Sequence, residues 1–119
     1  MKPERGFVVL LSLDPTIGHE QQGVRPCVVV SAPEVLNEQR YPLVCIVPLT
    51  GTPGTGALYP RVASGQSGLT KPSFALIDQL RAVDKRRVTR FLGRVSPDEL
   101  ASIDEGLRLF LGLNEGSSL

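Results

Sequence analysis

Between Leu13 and Ser31 the chain reads LDPTIGHEQQGVRPCVVVS, and side chains able to do chemistry crowd one short stretch of it. His19, Glu20, Gln21, Gln22 and Arg25 supply a proton carrier, a carboxylate, two amides and a permanent cation. Imidazole can take and return a proton near neutral pH. Guanidinium cannot, but it offers a fixed charge and paired donors. Asp14-Pro15-Thr16 is a turn signal before this stretch, and Arg25-Pro26 leads out of it into the apolar run Cys27–Val30. The pattern is a polar loop held between two strands, and loops on a rigid scaffold are where binding and catalysis concentrate.

The elements that must hold this loop are mostly strands. Phe7–Leu13 is apolar apart from Ser12, as a buried strand requires, and Asp14-Pro15 ends it. Pro26–Ser31 and Leu43–Leu49 (LVCIVPL) are the next two, with Pro48 suggesting an edge or a bulge. Ala32–Asn37 can form a single helical turn, with Pro33 where a missing N–H is harmless. Further strands are expected at Ala57–Ala63, at Ser73–Ile77 extended through Asp78–Val83, and at Val88–Val95. Gly51–Gly56 and Ser64–Gly68 are glycine-bearing loops. Intervals this short favour antiparallel pairing and a sheet that coils on itself.

Only the C-terminal region reads as a long helix. Ser96-Pro97-Asp98-Glu99 is a capping box, Leu100, Ile103, Leu107, Phe110 and Leu111 form one apolar stripe, and Gly112 is the stop. The helix is expected to lie across the sheet. The chain of 119 residues fits a single domain, 1–119, with 114–119 expected to fray. The fold class is therefore mainly β with helices (α+β).

Composition narrows the function classes. A hydrophobic content of 41% and a charged content of 21% are ordinary for a soluble domain. No apolar run approaches the ~18 residues of a membrane span and no leader pattern is visible, so a cytoplasmic protein is expected. Cys27 and Cys45 lie in apolar runs, without CxxC spacing and with one histidine in the chain, and read as buried thiols rather than metal ligands. No cofactor is expected. Residues 1–70 sum to zero charge, residues 71–94 to +5 and residues 95–119 to −4. A local basic face of that kind suits phosphates.

These segments together resemble the MazF/PemK/Kid family of toxin endoribonucleases. The resemblance rests on SLDPTIGHEQQGVRP, VPLT, KPSFALIDQLRAVDKRRV and a terminal helix opening SPDEL. It departs at Gly6-Phe7-Val8-Val9, where such proteins usually carry an acid and an aromatic after the glycine, and in having no tryptophan. The resemblance implies a small SH3-like antiparallel β-barrel with added helices, acting as a homodimer. It implies the toxin of a type II toxin–antitoxin system that cuts single-stranded RNA sequence-specifically and without metal. A cognate MazE-like antitoxin would neutralise it with an acidic, initially disordered segment. Family catalytic positions carry over to Arg25 and Thr50, Glu20 matches an acidic groove position, and His19 matches a histidine of the plasmid-borne branch. That branch also uses an arginine where this chain has Leu76.

Cleavage of this kind uses the 2′-hydroxyl as nucleophile and leaves a 2′,3′-cyclic phosphate and a 5′-hydroxyl. Arg25 would stabilise the phosphorane and Thr50 would donate to a non-bridging oxygen. Either Glu20 or His19 would take the 2′-hydroxyl proton, and the sequence leaves both open. Gln21, Gln22, Lys71, Asp78, Gln79, Arg81 and Arg86 are the RNA-binding candidates, the amides for base edges and the cations for phosphates. The alternatives are a gyrase poison of the same fold, against which the missing tryptophan counts, and a plain SH3-like binding module.

Overall fold

A computed structural model describes residues 2–88 and 90–113. The frayed end expected at 114–119 lies outside them. In chain order the elements are β1 (Phe7–Ser12), β2 (Val24–Val29), α1 (Pro33–Leu36), β3 (Leu43–Thr50), β4 (Arg61–Val62), β5 (Ser73–Ala75), β6 (Arg81–Asp84), β7 (Arg90–Arg94) and α2 (Pro97–Leu111). Single 3-10 turns occupy Ile77–Gln79 and Lys85–Arg87.

All strand pairs are antiparallel, in the order β4-β5-β3-β2-β1-β7, with β6 added to β3. β3 is the longest strand and serves two partners on one edge. Its first half, Leu43–Ile46, pairs with β6, and its end, Leu49–Thr50, pairs with β5. Pro48 sits where the partner changes. It stays inside β3, opposite Cys27 on the β2 side, and its carbonyl accepts from Leu76 N–H. Proline has no N–H for a continuous ladder, so the neighbouring chain leaves the sheet and turns. That corrects the extension of a strand through Asp78: the chain makes the 3-10 turn Ile77–Gln79 before β6 starts at Arg81.

Two other expected strands are shorter than the sequence suggests. Of Ala57–Ala63 only Arg61–Val62 pairs, because Gly56–Tyr59 turns and Pro60 cannot donate. Of Val88–Val95, Arg90–Arg94 is strand, after the turn that Asp84 caps by accepting from Arg86 N–H. The sheet curls into a barrel whose gap is filled by the loop after β4. Gly68 (φ +79°) and Gly93 let that loop meet β7: a Cβ on Gly68 would fall 2.1 Å from Leu92 O, and one on Gly93 2.3 Å from Gln66 O.

The central strands are buried on both faces, which is why they read as unbroken apolar runs. One face packs Val9, Leu11, Cys27, Val29, Val44 and Ile46 under Leu36 and Val88. The other packs Val8, Val28, Val47, Leu49, Ala75 and Ile77 under Ile103 of α2. Cys27 belongs to the first face and Cys45 packs on the second, so the two thiols are on opposite sides of the sheet and both are free. The α2 capping box is formed in both directions, with Glu99 N–H to Ser96 Oγ at 3.1 Å and Ser96 N–H to Glu99 Oε1 at 2.8 Å. Gly112 ends the helix in the left-handed conformation. Leu100, Ile103 and Leu107 contact the core, but Phe110 and Leu111 are exposed, because the last turn outruns the surface the helix covers. No helix among the described residues is long and apolar enough to cross a membrane.

Candidate active site

The register of β2 on β3 decides whether the two most distant candidates meet. Cys27 pairs with Pro48, Val28 with Val47 and Val29 with Ile46. Continued two residues toward the polar loop, that register sets Arg25 across from Thr50, on the same face as Cys27 and Pro48. Directly opposed residues of an antiparallel pair have Cα atoms only ~4.5–5.5 Å apart.

Both groups are partly committed, and the remainder faces outward. Arg25 is exposed and its Nε donates to Gln22 O at 3.1 Å, which fixes the stem and leaves the terminal nitrogens for a ligand. Thr50 Oγ1 accepts from Thr52 N–H at 3.2 Å, so its hydroxyl proton is free to be donated. Lys71 lies beside them: a Cβ added to Gly51 would be 2.7 Å from Lys71 Nζ. The ammonium thus covers the residue that follows Thr50.

The polar loop is closed at its neck by Leu13 N–H to Gly23 O at 2.9 Å and by Gly23 N–H to Asp14 Oδ1 at 3.1 Å. Glu20 braces it from within, its Oε1 accepting from Ile17 N–H at 2.5 Å. Gln79 anchors it from outside. Gln21 N–H donates to Gln79 Oε1 at 2.6 Å, and Gln79 Nε2 donates to His19 O at 3.3 Å. Arg81 adds a bond from its guanidinium to Leu13 O at 2.8 Å. The 3-10 turn forced at Pro48 therefore acts as the loop's support.

Two hollows result. The first, of about 310 Å³, is lined by His19, Glu20, Gln21, Pro48, Asp78, Gln79 and Arg81. The second, of about 410 Å³, holds Thr50, Thr52, Tyr59, Phe74 and Leu76, and shares Gln21, Asp78 and Gln79 with the first. Asp78 stands on the ridge between them and accepts from the Tyr59 hydroxyl at 2.6 Å. That bond, with the carboxylate charge behind it, raises the Tyr59 pKa above its usual value. Beneath Arg25, burial pushes the Cys27 thiol up to about 12, against the opposing pull of Arg81.

Most sequence candidates are brought together by this geometry, though several have different work from that expected. His19, Glu20, Gln21, Asp78, Gln79 and Arg81 meet in the first hollow, Thr50 opens on the second, and Lys71 flanks it. The amide of Gln79 and the guanidinium of Arg81 hold the loop rather than standing free for bases and phosphates. Arg25 and Gln22 line neither hollow, and the Gln22 carbonyl accepts from Arg25 Nε. Arg86 is the clear misfit among the RNA-binding candidates. It lines neither hollow, and its guanidinium grips Asp84 through Nε at 3.0 Å and a terminal nitrogen at 2.9 Å. This pair holds the Asp84 carboxyl down to about 2. Tyr59, Phe74 and Thr52 were not among the sequence candidates: Phe74 reaches the site by pairing with Thr50, and Tyr59 and Thr52 by lining the second hollow. Among the described residues no cluster of three or more His, Cys, Asp or Glu is disposed to hold a metal ion.

Comparison with known proteins agrees with this architecture. Residues 4–111 match the family of PemK-like, MazF-like toxins of type II toxin–antitoxin systems. The structure is similar to that of MazF from Deinococcus radiodurans, at 27% identity and a TM-score of 0.80 over 94% of this chain and 98% of that one. It is also similar to a mycobacterial endoribonuclease bound to its cognate antitoxin, at 28% identity and a TM-score of 0.74 over 94% and 97%. The Mycobacterium tuberculosis toxin MazF-mt6, 18% identical with a TM-score of 0.74 over 91% and 98%, shares the fold.

Proposed function

The chain belongs to the PemK-like, MazF-like toxins of type II toxin–antitoxin systems, and from that premise we propose how its own residues cut RNA. The reaction is metal-independent cleavage of single-stranded RNA, with attack by the 2′-hydroxyl on the adjacent phosphorus. The bond to the 5′-oxygen breaks, leaving a 2′,3′-cyclic phosphate and a 5′-hydroxyl. What supports this reading is the β2–β3 register, which, continued two residues beyond the Cys27–Pro48 pair, sets Arg25 opposite Thr50.

Arg25 binds the non-bridging oxygens through its free terminal nitrogens and stabilises the charge that accumulates on the phosphorane. Thr50, already an acceptor from Thr52 N–H, donates its hydroxyl proton to the same group. Lys71 adds a second cation at that end of the site. His19 takes the 2′-hydroxyl proton, and Glu20 is the brace that shapes the loop. Two facts support that division: one Glu20 oxygen is bound to Ile17 N–H, and imidazole is suited to proton exchange near neutrality. Gln21 and Asp78, on the ridge between the hollows, offer polar groups to base edges.

The natural partner is a MazE-like antitoxin whose acidic segment, disordered until bound, lies along the basic face. The mycobacterial relative bound to its cognate antitoxin supports this. The working unit is a homodimer in the cytoplasm, where RNA and antitoxin are found.

The test is primer-extension mapping on a long RNA with the parent, Arg25→Ala and Thr50→Ala. Arg25→Ala should lower turnover by at least ~10²-fold, the usual loss of an oxyanion donor. A substrate with 2′-deoxyribose 5′ of the cut should bind and stay intact. Cleavage of that deoxy substrate at the normal rate would refute internal attack.

A further inference from the structure

The row of residues that contains Arg25 and Thr50 does not stop at Thr50. Thr50 pairs with Phe74 on β5, and Phe74 pairs with Arg61 on β4. Leu11 stands opposite Arg25 at the other end. Residues directly opposite in a ladder share a face. The order across the sheet is therefore Leu11, Arg25, Thr50, Phe74, Arg61, with all five on one side.

Phe74 is half-buried and forms part of the second hollow together with Thr50. The wall beside it, Tyr59, is held by the Asp78 carboxylate and packs against Gly54, where an added Cβ would be 3.0 Å from its ring. Arg61 is exposed, and among the described residues no hydrogen bond or ion pair engages its guanidinium. Arg40, Arg86, Arg94 and Arg108, by contrast, each face a carboxylate. At the usual strand spacing of ~4.8 Å, Phe74 lies one strand beyond Thr50 and Arg61 two. An aromatic face followed by a cation is the arrangement that tracks single-stranded nucleic acid: rings stack bases and cations meet phosphates.

We propose that Phe74 and Arg61 form a flanking-nucleotide subsite of the cleavage site, Phe74 stacking one base beside the scissile phosphate and Arg61 holding the next phosphate. The inference rests on the endoribonuclease reading and adds an occupant for a surface that reading leaves empty. Stacking uses the π-face that all bases share, so this subsite binds without selecting among them. Selection belongs to the polar ridge at Gln21 and Asp78. Both residues act on binding and register of the strand, and neither exchanges a proton.

The experiment uses the full-length protein and a short RNA containing one mapped cut, in versions where each base in turn is removed to leave an abasic ribose. Phe74→Ala should raise KM about 10-fold with kcat at saturation within twofold of the parent. That penalty should disappear for one abasic position within two nucleotides of the cut, since a missing base has nothing to lose, and should be similar for all four bases there. Arg61→Ala should also raise KM and lower the slope of log KM against log salt by about 0.7, one phosphate contact, while Arg61→Lys retains most of it. Phe74→Leu, which keeps apolar bulk without a flat ring, covers the case in which Phe74→Ala unfolds, and should show the same base-dependent loss. A penalty equal at all abasic positions, or no penalty with the parent active, overturns the subsite alone. A parent that cuts no RNA overturns the nuclease reading and the subsite together.

Discussion

Removing the Gln79 amide, at a position whose side chain need not touch the phosphate at all, tests whether the loop must be held to work. Gln79→Leu deletes an acceptor from Gln21 N–H at 2.6 Å and a donor to His19 O at 3.3 Å. A hydrogen bond is worth ~0.5–1.5 kcal/mol net. Taking about 1 kcal/mol for the short one and about 0.5 for the long one gives about 1.5 kcal/mol. That is close to a tenfold drop in the equilibrium constant between the loop conformer that faces the site and its alternatives. Measured as kcat/KM on a short RNA, activity should fall by up to about tenfold, the competent fraction setting how much of the change is seen, since only the competent conformer binds productively. The urea midpoint should move little, because the loop bonds are near the surface and the core strands are untouched. Hydrogen exchange at the Gln21 amide should quicken by a comparable factor. Gln79→Glu retains the acceptor and loses the donor, and should fall between parent and Gln79→Leu. Undiminished kcat/KM in Gln79→Leu together with an unchanged Gln21 exchange rate would show that the loop holds itself, and the supporting role of the 3-10 turn would be wrong.

Other expectations are narrower. Thr50→Ser should retain most of the cleavage rate and Thr50→Val should lose ~10²-fold, measured as single-turnover rates; equal rates would remove the hydroxyl from the mechanism. Cys27 should resist a thiol-specific reagent in the folded protein and react after unfolding, because burial keeps it protonated to about 12. Its folded pKa is raised, so its contribution to stability is complete below the unfolded thiol's ~8.5 and fades as pH rises toward 12. The urea-unfolding difference between parent and Cys27→Ala should shrink over that window, and a difference flat in pH would refute the assignment. Glu99→Ala removes acceptors from both Ser96 N–H and Ala63 N–H, and should cost about 1–2 kcal/mol in urea melts with kcat/KM unchanged.

Several features were legible in the chain because their physics is local. The Ser96 capping box, the Gly112 stop and the apolar runs of β1, β2 and β3 depend on neighbours within one turn or one strand. The turn signals around Asp14 and the density of chemistry from His19 to Arg25 marked the candidate loop before any strand was paired. Short edge elements were less legible. The chain near Tyr59 and Asp78 has strand-like alternation, but Pro60 and the partner change at Pro48 override it.

The assignment of work within the site was beyond the sequence. Gln79 has the same amide whether it reads a base or clamps a loop, and only the approach of Gln21 and His19 to it decides. Arg86 reads as a phosphate contact until Asp84 is seen against it. Residue order alone determined the elements, the loop and the family pattern, because hydrophobic period and turn chemistry act over a few residues. Tertiary structure decided which strands pair, and that Phe74 and Arg61 stand in one row beyond Thr50, because register joins strands far apart in the chain and a slip of one residue would turn each side chain to the other face.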